Sequence, residues 1–172
     1  MDIINWNDVK DQAERPEAGG YIAKITAVED NLEKKCLFIS WDFIDGPFKN
    51  ANAETAAALG FWPMKIARSY KPKALGFFKA FKTAVEDSNR GFVFTNDPQS
   101  LVGKFIGVVM GEEAYRNKKG EVRTRTYVYQ TRSAHAIQSG DFSIPEFKPL
   151  TGAAPANDFA IIPESEDEGL PW

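Results

Sequence analysis

Apolar and polar residues alternate with a period of two in neighbouring stretches of the chain. Residues 21–28 place Ile22, Thr26 and Val28 on one face of a strand and Tyr21, Ala23, Ile25 and Ala27 on the other. After a polar break at residues 29–35 the chain returns as residues 36–45. There Leu37, Ile39, Trp41 and Phe43 alternate with Phe38, Ser40 and Asp42. The pattern predicts a β-hairpin, entered through the turn-rich residues 16–20 and ended at Gly46-Pro47. Residues 48–60 are small and polar, with one helical turn expected near residues 54–59. Residues 61–70 read equally as strand or loop.

The period then changes. Over residues 73–87, Ala74, Phe77, Phe78, Phe81, Ala84 and Val85 form one apolar stripe, while Lys79, Lys82 and Glu86 face away. That spacing predicts an amphipathic helix whose aromatic stripe packs a core. A short apolar segment at residues 92–94 precedes a turn at Asp97-Pro98. Residues 104–111 read as a central strand buried on both faces through Phe105, Ile106, Val108, Val109 and Met110. Gly103, Gly107 and Gly111 recur every four residues, which in a strand predicts bulging or tight curvature. Asn117-Lys118-Lys119-Gly120 is a hairpin tip, and residues 122–130 return as a strand. The order is mainly β with one interposed helix. Together with the curvature signals it predicts an oligonucleotide-binding (OB)-like five-stranded β-barrel over residues 1–150, followed by a disordered tail at residues 151–172.

Composition narrows the chemistry. Hydrophobic residues make up 43% of the 172 positions, enough for a real core. No apolar run approaches the roughly 18 residues of a membrane span. The opening residues lack the basic-then-apolar order of a signal peptide. A soluble protein of the bacterial cytoplasm is expected, with no membrane association. A single cysteine, Cys36, excludes an internal disulfide and reads as a small buried hydrophobe. A single histidine, His135, leaves no zinc-ligand cluster and no nucleophile–histidine arrangement. Phosphate-loop and dinucleotide fingerprints are missing as well. No cofactor and no catalysis are expected, although carboxylates as magnesium ligands keep a metal-dependent nucleic-acid-processing enzyme open as an alternative.

The net charge of −3 hides a partition. Residues 1–33 balance to −5, residues 34–140 to +8, and residues 141–172 to −6. A polyanion responds to the local basic surface rather than to the total. Within the basic region, Arg123, Arg125, Tyr127 and Tyr129 fall on one face of a strand. Arginines there suit phosphates, and tyrosine rings suit unpaired bases. The preceding tip adds Arg116, Lys118 and Lys119. A second basic-aromatic patch runs Trp62, Lys65, Arg68, Tyr70, Lys71 and Lys73, and the polar break contributes Lys34 and Lys35. A solvated strand face with tyrosines capping a core is the plain alternative. The surplus of +8 over residues 34–140 favours single-stranded DNA.

From residue 151 the chain is small, proline-punctuated and then acidic. Glu164, Glu166, Asp167 and Glu168 cannot fold alone. Leu170, Pro171 and Trp172 follow them, offering apolar anchors and a carboxylate to a basic pocket on a partner protein.

The ending Asp167-Glu168-Gly169-Leu170-Pro171-Trp172 resembles the acidic Leu-Pro-Phe type ending of bacterial and phage single-stranded DNA-binding proteins. The body resembles small phage proteins from Gram-positive hosts that are encoded among replication and recombination genes. The shared stretches include residues 69–75, 77–79, 83–86, 101–104, 111–113 with Tyr115, and 120–124. The resemblance implies an OB-like fold, sequence-tolerant binding of single-stranded DNA, and recruitment of phage or host replication and recombination proteins through the tail. Trp172 in place of Phe and Gly169 in place of an acid depart from the pattern. Homo-oligomer formation is compatible with this reading, and a β-rich phage structural or assembly protein is its non-enzymatic rival.

Overall fold

The computed structural model describes residues 1–6 and 16–150. The two alternating stretches form β1 (Gly19–Asn31) and β2 (Cys36–Phe43), paired antiparallel. The ambiguous region resolves into a helix, α1 (Ala51–Leu59), and a short strand, β3 (Ile66–Ser69). A 3-10 turn at Pro72–Ala74 leads into α2 (Leu75–Ser88). The long hairpin β4 (Phe105–Arg116) and β5 (Val122–Arg132) follows, then α3 (Ala134–Ser139). The pairings between these five strands are antiparallel, and the sheet order is β3-β2-β1-β4-β5.

The sheet is not closed into a barrel. β3 and β5 are its two edges, with no ladder between them. One side-chain bond reaches from edge to edge: Arg68 Nη2 donates to Thr131 Oγ1 at 3.1 Å. β3 is short, with four residues, each paired to β2.

One face of the sheet and α2 enclose the core. Leu37, Ile39, Trp41 and Phe43 meet Ala23, Ile25 and Val28 of β1 and Ile106, Val108 and Met110 of β4. Phe81, Ala84 and Val85 of α2 close it. Strict alternation put Val28 and Ile25 on opposite faces of β1, but a bulge between Ile25 and Ala27 turns both inward. The helical stripe also needs one correction. Phe77 is 49% exposed, because the packed arc of α2 centres on Phe81, Ala84 and Val85.

α1 runs a full nine residues because its first turn is capped from outside. Asp42 of β2 accepts from the backbone N–H groups of Asn52 and Ala53, at 3.0 and 2.9 Å. A carboxylate there satisfies orphan donors and complements the helix dipole. The glycine repeat has a different cause from bulging alone. A Cβ at Gly107 would lie 2.5 Å from Ile137 Cγ1, and one at Gly20 would enter the Phe142 ring. A Cβ at Gly111 would meet Pro145 and Tyr127. These glycines let α3 and the strap after it lie directly on the sheet face opposite the core. Gly103 instead adopts φ +86 at the turn into β4.

Candidate nucleic-acid interface

β4 continues past Met110, its last partner on β1, and pairs onward with β5 to Arg116. The hairpin therefore projects beyond the rest of the sheet. Residues 115–129 carry five basic side chains, one acid and three tyrosines. Asn117 fixes the tip, its side-chain oxygen accepting from the N–H groups of Lys119 and Glu121, each at 2.9 Å. Gly120 supplies the left-handed residue at φ +79. Arg116 donates from Nη1 to the Gly120 carbonyl at 2.8 Å, which braces the tip, while Lys118 and Lys119 stand exposed.

Register decides what the predicted face looks like. Tyr115 lies opposite Arg123, Glu113 opposite Arg125, and Gly111 opposite Tyr127. Arg125 donates from Nε to Glu113 at 2.8 Å and stacks its guanidinium 4.8 Å from the Tyr115 ring centre. Arg123 pairs with Glu121. Tyr127 lies against Gly111, and Lys148 of the strap sits 4.3 Å above its ring. Its hydroxyl is buried with no hydrogen-bond partner among the described residues. Tyr129 does not continue this face. A register shift opposite Val109 and Met110 makes it the extra residue of a bulge, 45% exposed.

The second predicted patch divides. Trp62 and Lys65 lie near the hairpin, because their loop leans on β5 through Met64 Sδ, 4.0 Å from Thr126 Oγ1, on the face opposite Arg125 and Tyr127. Two crossed indole bonds hold that loop: Trp62 Nε1 donates to the Trp41 carbonyl at 3.1 Å, and Trp41 Nε1 to the Met64 carbonyl at 2.6 Å. Phe61, 63% exposed beside them, is an aromatic that sequence reading missed, as is Tyr115. Lys34, Lys35, Tyr70 and Lys71 gather at the other end of β3, where Tyr70 N–H donates to the Lys35 carbonyl at 2.9 Å. Lys65 and Tyr70 flank the strand about 17 Å apart along its axis, so the two groups form separate surfaces.

Arg68 is not a surface residue. It is 5% exposed, with its guanidinium 5.5 Å from the Phe81 ring centre. Burial pulls its pKa down to about 10, which leaves it charged at neutral pH. It donates to the Ala67 carbonyl and to Thr131, but Nε has no partner among the described residues. The tail residues Glu164, Glu166, Asp167, Glu168, Leu170, Pro171 and Trp172 lie outside the described residues.

The chain matches no protein-family model and no curated protein. Among the described residues no helix is long and apolar enough to cross a membrane.

Proposed function

We propose that this chain binds single-stranded DNA with little sequence preference and recruits replication or recombination proteins through its acidic tail, in the manner of phage single-stranded DNA-binding proteins. The observation that carries this reading is the projecting β4–β5 hairpin. Its tip carries the exposed Lys118 and Lys119, its strands carry Arg116, Arg123 and Arg125 held by Gly120, Glu121 and Glu113, and Tyr129 and the neighbouring Phe61 offer exposed rings. Cations that track phosphates, interleaved with rings that accept any base, make a sequence-tolerant platform.

The strand arrangement supports an OB-like reading. β1 pairs with β2 and β4, β2 with β3, and β4 with β5, with α2 placed between β3 and β4. Such a sheet becomes a five-stranded barrel once β3 and β5 meet, and OB barrels are themselves partly open. The Arg68–Thr131 bond spans that gap.

Titration of a labelled oligothymidylate across a salt series tests the function. For about four to six phosphate contacts, the log–log slope is expected at roughly −3 to −4. Equal affinity for duplex and single strand, or a flat salt response, overturns the reading. The tail supplies a second, independent check. Tethered near a basic surface, its effective concentration is about millimolar, enough to compete weakly with DNA. Deleting residues 163–172 is expected to leave DNA binding intact, or modestly tighter at low salt, while abolishing co-precipitation of replication proteins. A truncation that destroys DNA binding in a folded protein places the tail in the DNA site instead.

A further inference from the structure

A groove of about 330 Å³ opens between α2 and the end of the sheet where β1 turns into β2. Tyr70, Phe78, Phe94, Leu37, Leu75 and Pro98 line it. Phe78 and Phe94 lie with ring centres 6.0 Å apart and planes tilted by 37°, which leaves an aromatic wall rather than a filled stack. Leu75 is half exposed at the rim.

Two polar side chains, Asp30 and Asn96, also line this groove. Asp30 Oδ1 accepts from the Tyr70 hydroxyl at 2.9 Å, which fixes the carboxylate at the groove edge. Burial, and then that bond, push the Tyr70 phenol above its ordinary range. The neighbouring acid Asp97 is engaged elsewhere, since its carboxylate accepts from Gln99 N–H at 3.1 Å. The turn joining Asp30 to Leu37 carries Lys34 and Lys35, and Lys71 and Lys73 follow Tyr70 directly. An aromatic groove with one fixed acceptor, whose lining residues adjoin lysine-bearing segments of the chain, matches a base with a phosphate attached.

We infer that this groove is a nucleobase pocket. It takes one unstacked base of a bound single strand, and guanine best of the four. The volume suits a single base. Asp30 offers an acceptor to the N1–H and N2–H donors of guanine, the Asn96 amide lies within the same lining, and thymine has only one such donor. Lys34, Lys35, Lys71 and Lys73, on the segments that adjoin the lining residues, supply the cations for the flanking phosphates. The inference rests on the DNA-binding reading and adds a base preference at a place well separated from the hairpin.

Anisotropy titrations of an oligothymidylate, with and without one internal guanine, test it on the full chain. The guanine-containing strand is expected to bind roughly tenfold tighter, the discrimination of a good paired contact. Asp30→Asn is expected to bring that ratio close to one. Asp30 is exposed on the sheet end, so the variant folds, and a circular dichroism melt verifies this. Equal affinities in the unaltered protein, or a preference that survives in Asp30→Asn, overturn the pocket and leave the DNA-binding reading standing. Binding to neither strand removes both.

Discussion

Replacing Trp41 with alanine is expected to cost about 3–5 kcal/mol of folding stability, the range for deleting a large buried aromatic side chain. Trp41 is fully buried, with its ring edge-on to Phe43 at 4.9 Å. Its backbone carbonyl also receives the Asn52 side chain and the Trp62 indole. Its own indole N–H holds the Met64 carbonyl. Loss of the ring therefore empties the core and unpins the loop that bears Phe61 and Trp62. Trp41→Phe keeps most of the volume and strands one carbonyl, at a cost of about 1–3 kcal/mol. Urea denaturation of both variants measures the difference. A Trp41→Ala protein within 1 kcal/mol of the parent contradicts the packing described.

The second large effect is expected on DNA binding. Lys118→Ala with Lys119→Ala removes two exposed cations from the hairpin tip. The salt slope should fall in magnitude by about 1.4, at roughly 0.7 per phosphate contact. Glu113→Gln with Glu121→Gln acts in the opposite direction. It removes the carboxylates that face Arg125 and Arg123, so binding should strengthen and the slope steepen. The same titrations under varied salt read both pairs. Slopes unchanged in both folded double variants move the DNA site away from the hairpin.

What could be read from the sequence divides along lines of range. The β1–β2 hairpin, α2 and the β4–β5 hairpin each carry their own period, so local pattern was enough to place them. α1 carries none. It is largely alanine, and its N-terminus is fixed by Asp42, a residue of β2. α3 is six residues long, and it lies against Gly107 of β4, while Gly20 and Gly111 receive the strap after it, contacts that no local window contains. The candidate site divides in the same way. Lys118 and Lys119 stand where the tip pattern put them. The pairing of Arg125 with Glu113 and the bulge at Tyr129 follow from the register of two strands, and alternation within one strand cannot supply that. Arg68 reads as one more cation in a basic run until α2 lays Phe81 against it.

The sheet order also sets the sequence of events by which the chain folds. β1, β2 and β3 pair with neighbours close in sequence, and β4 pairs with β5 across a tight tip. Among the described residues, the two ribbons are joined by backbone bonds where residues 19–25 of β1 meet residues 103–110 in and just before β4. Each ribbon can form quickly on its own, whereas their junction must wait for a long chain segment to close, and contacts of such separation slow folding. Until then both ribbons expose apolar faces with unpaired edges. The junction is thus the step at which this chain is most open to aggregation, and chaperone protection would have to act before it is complete.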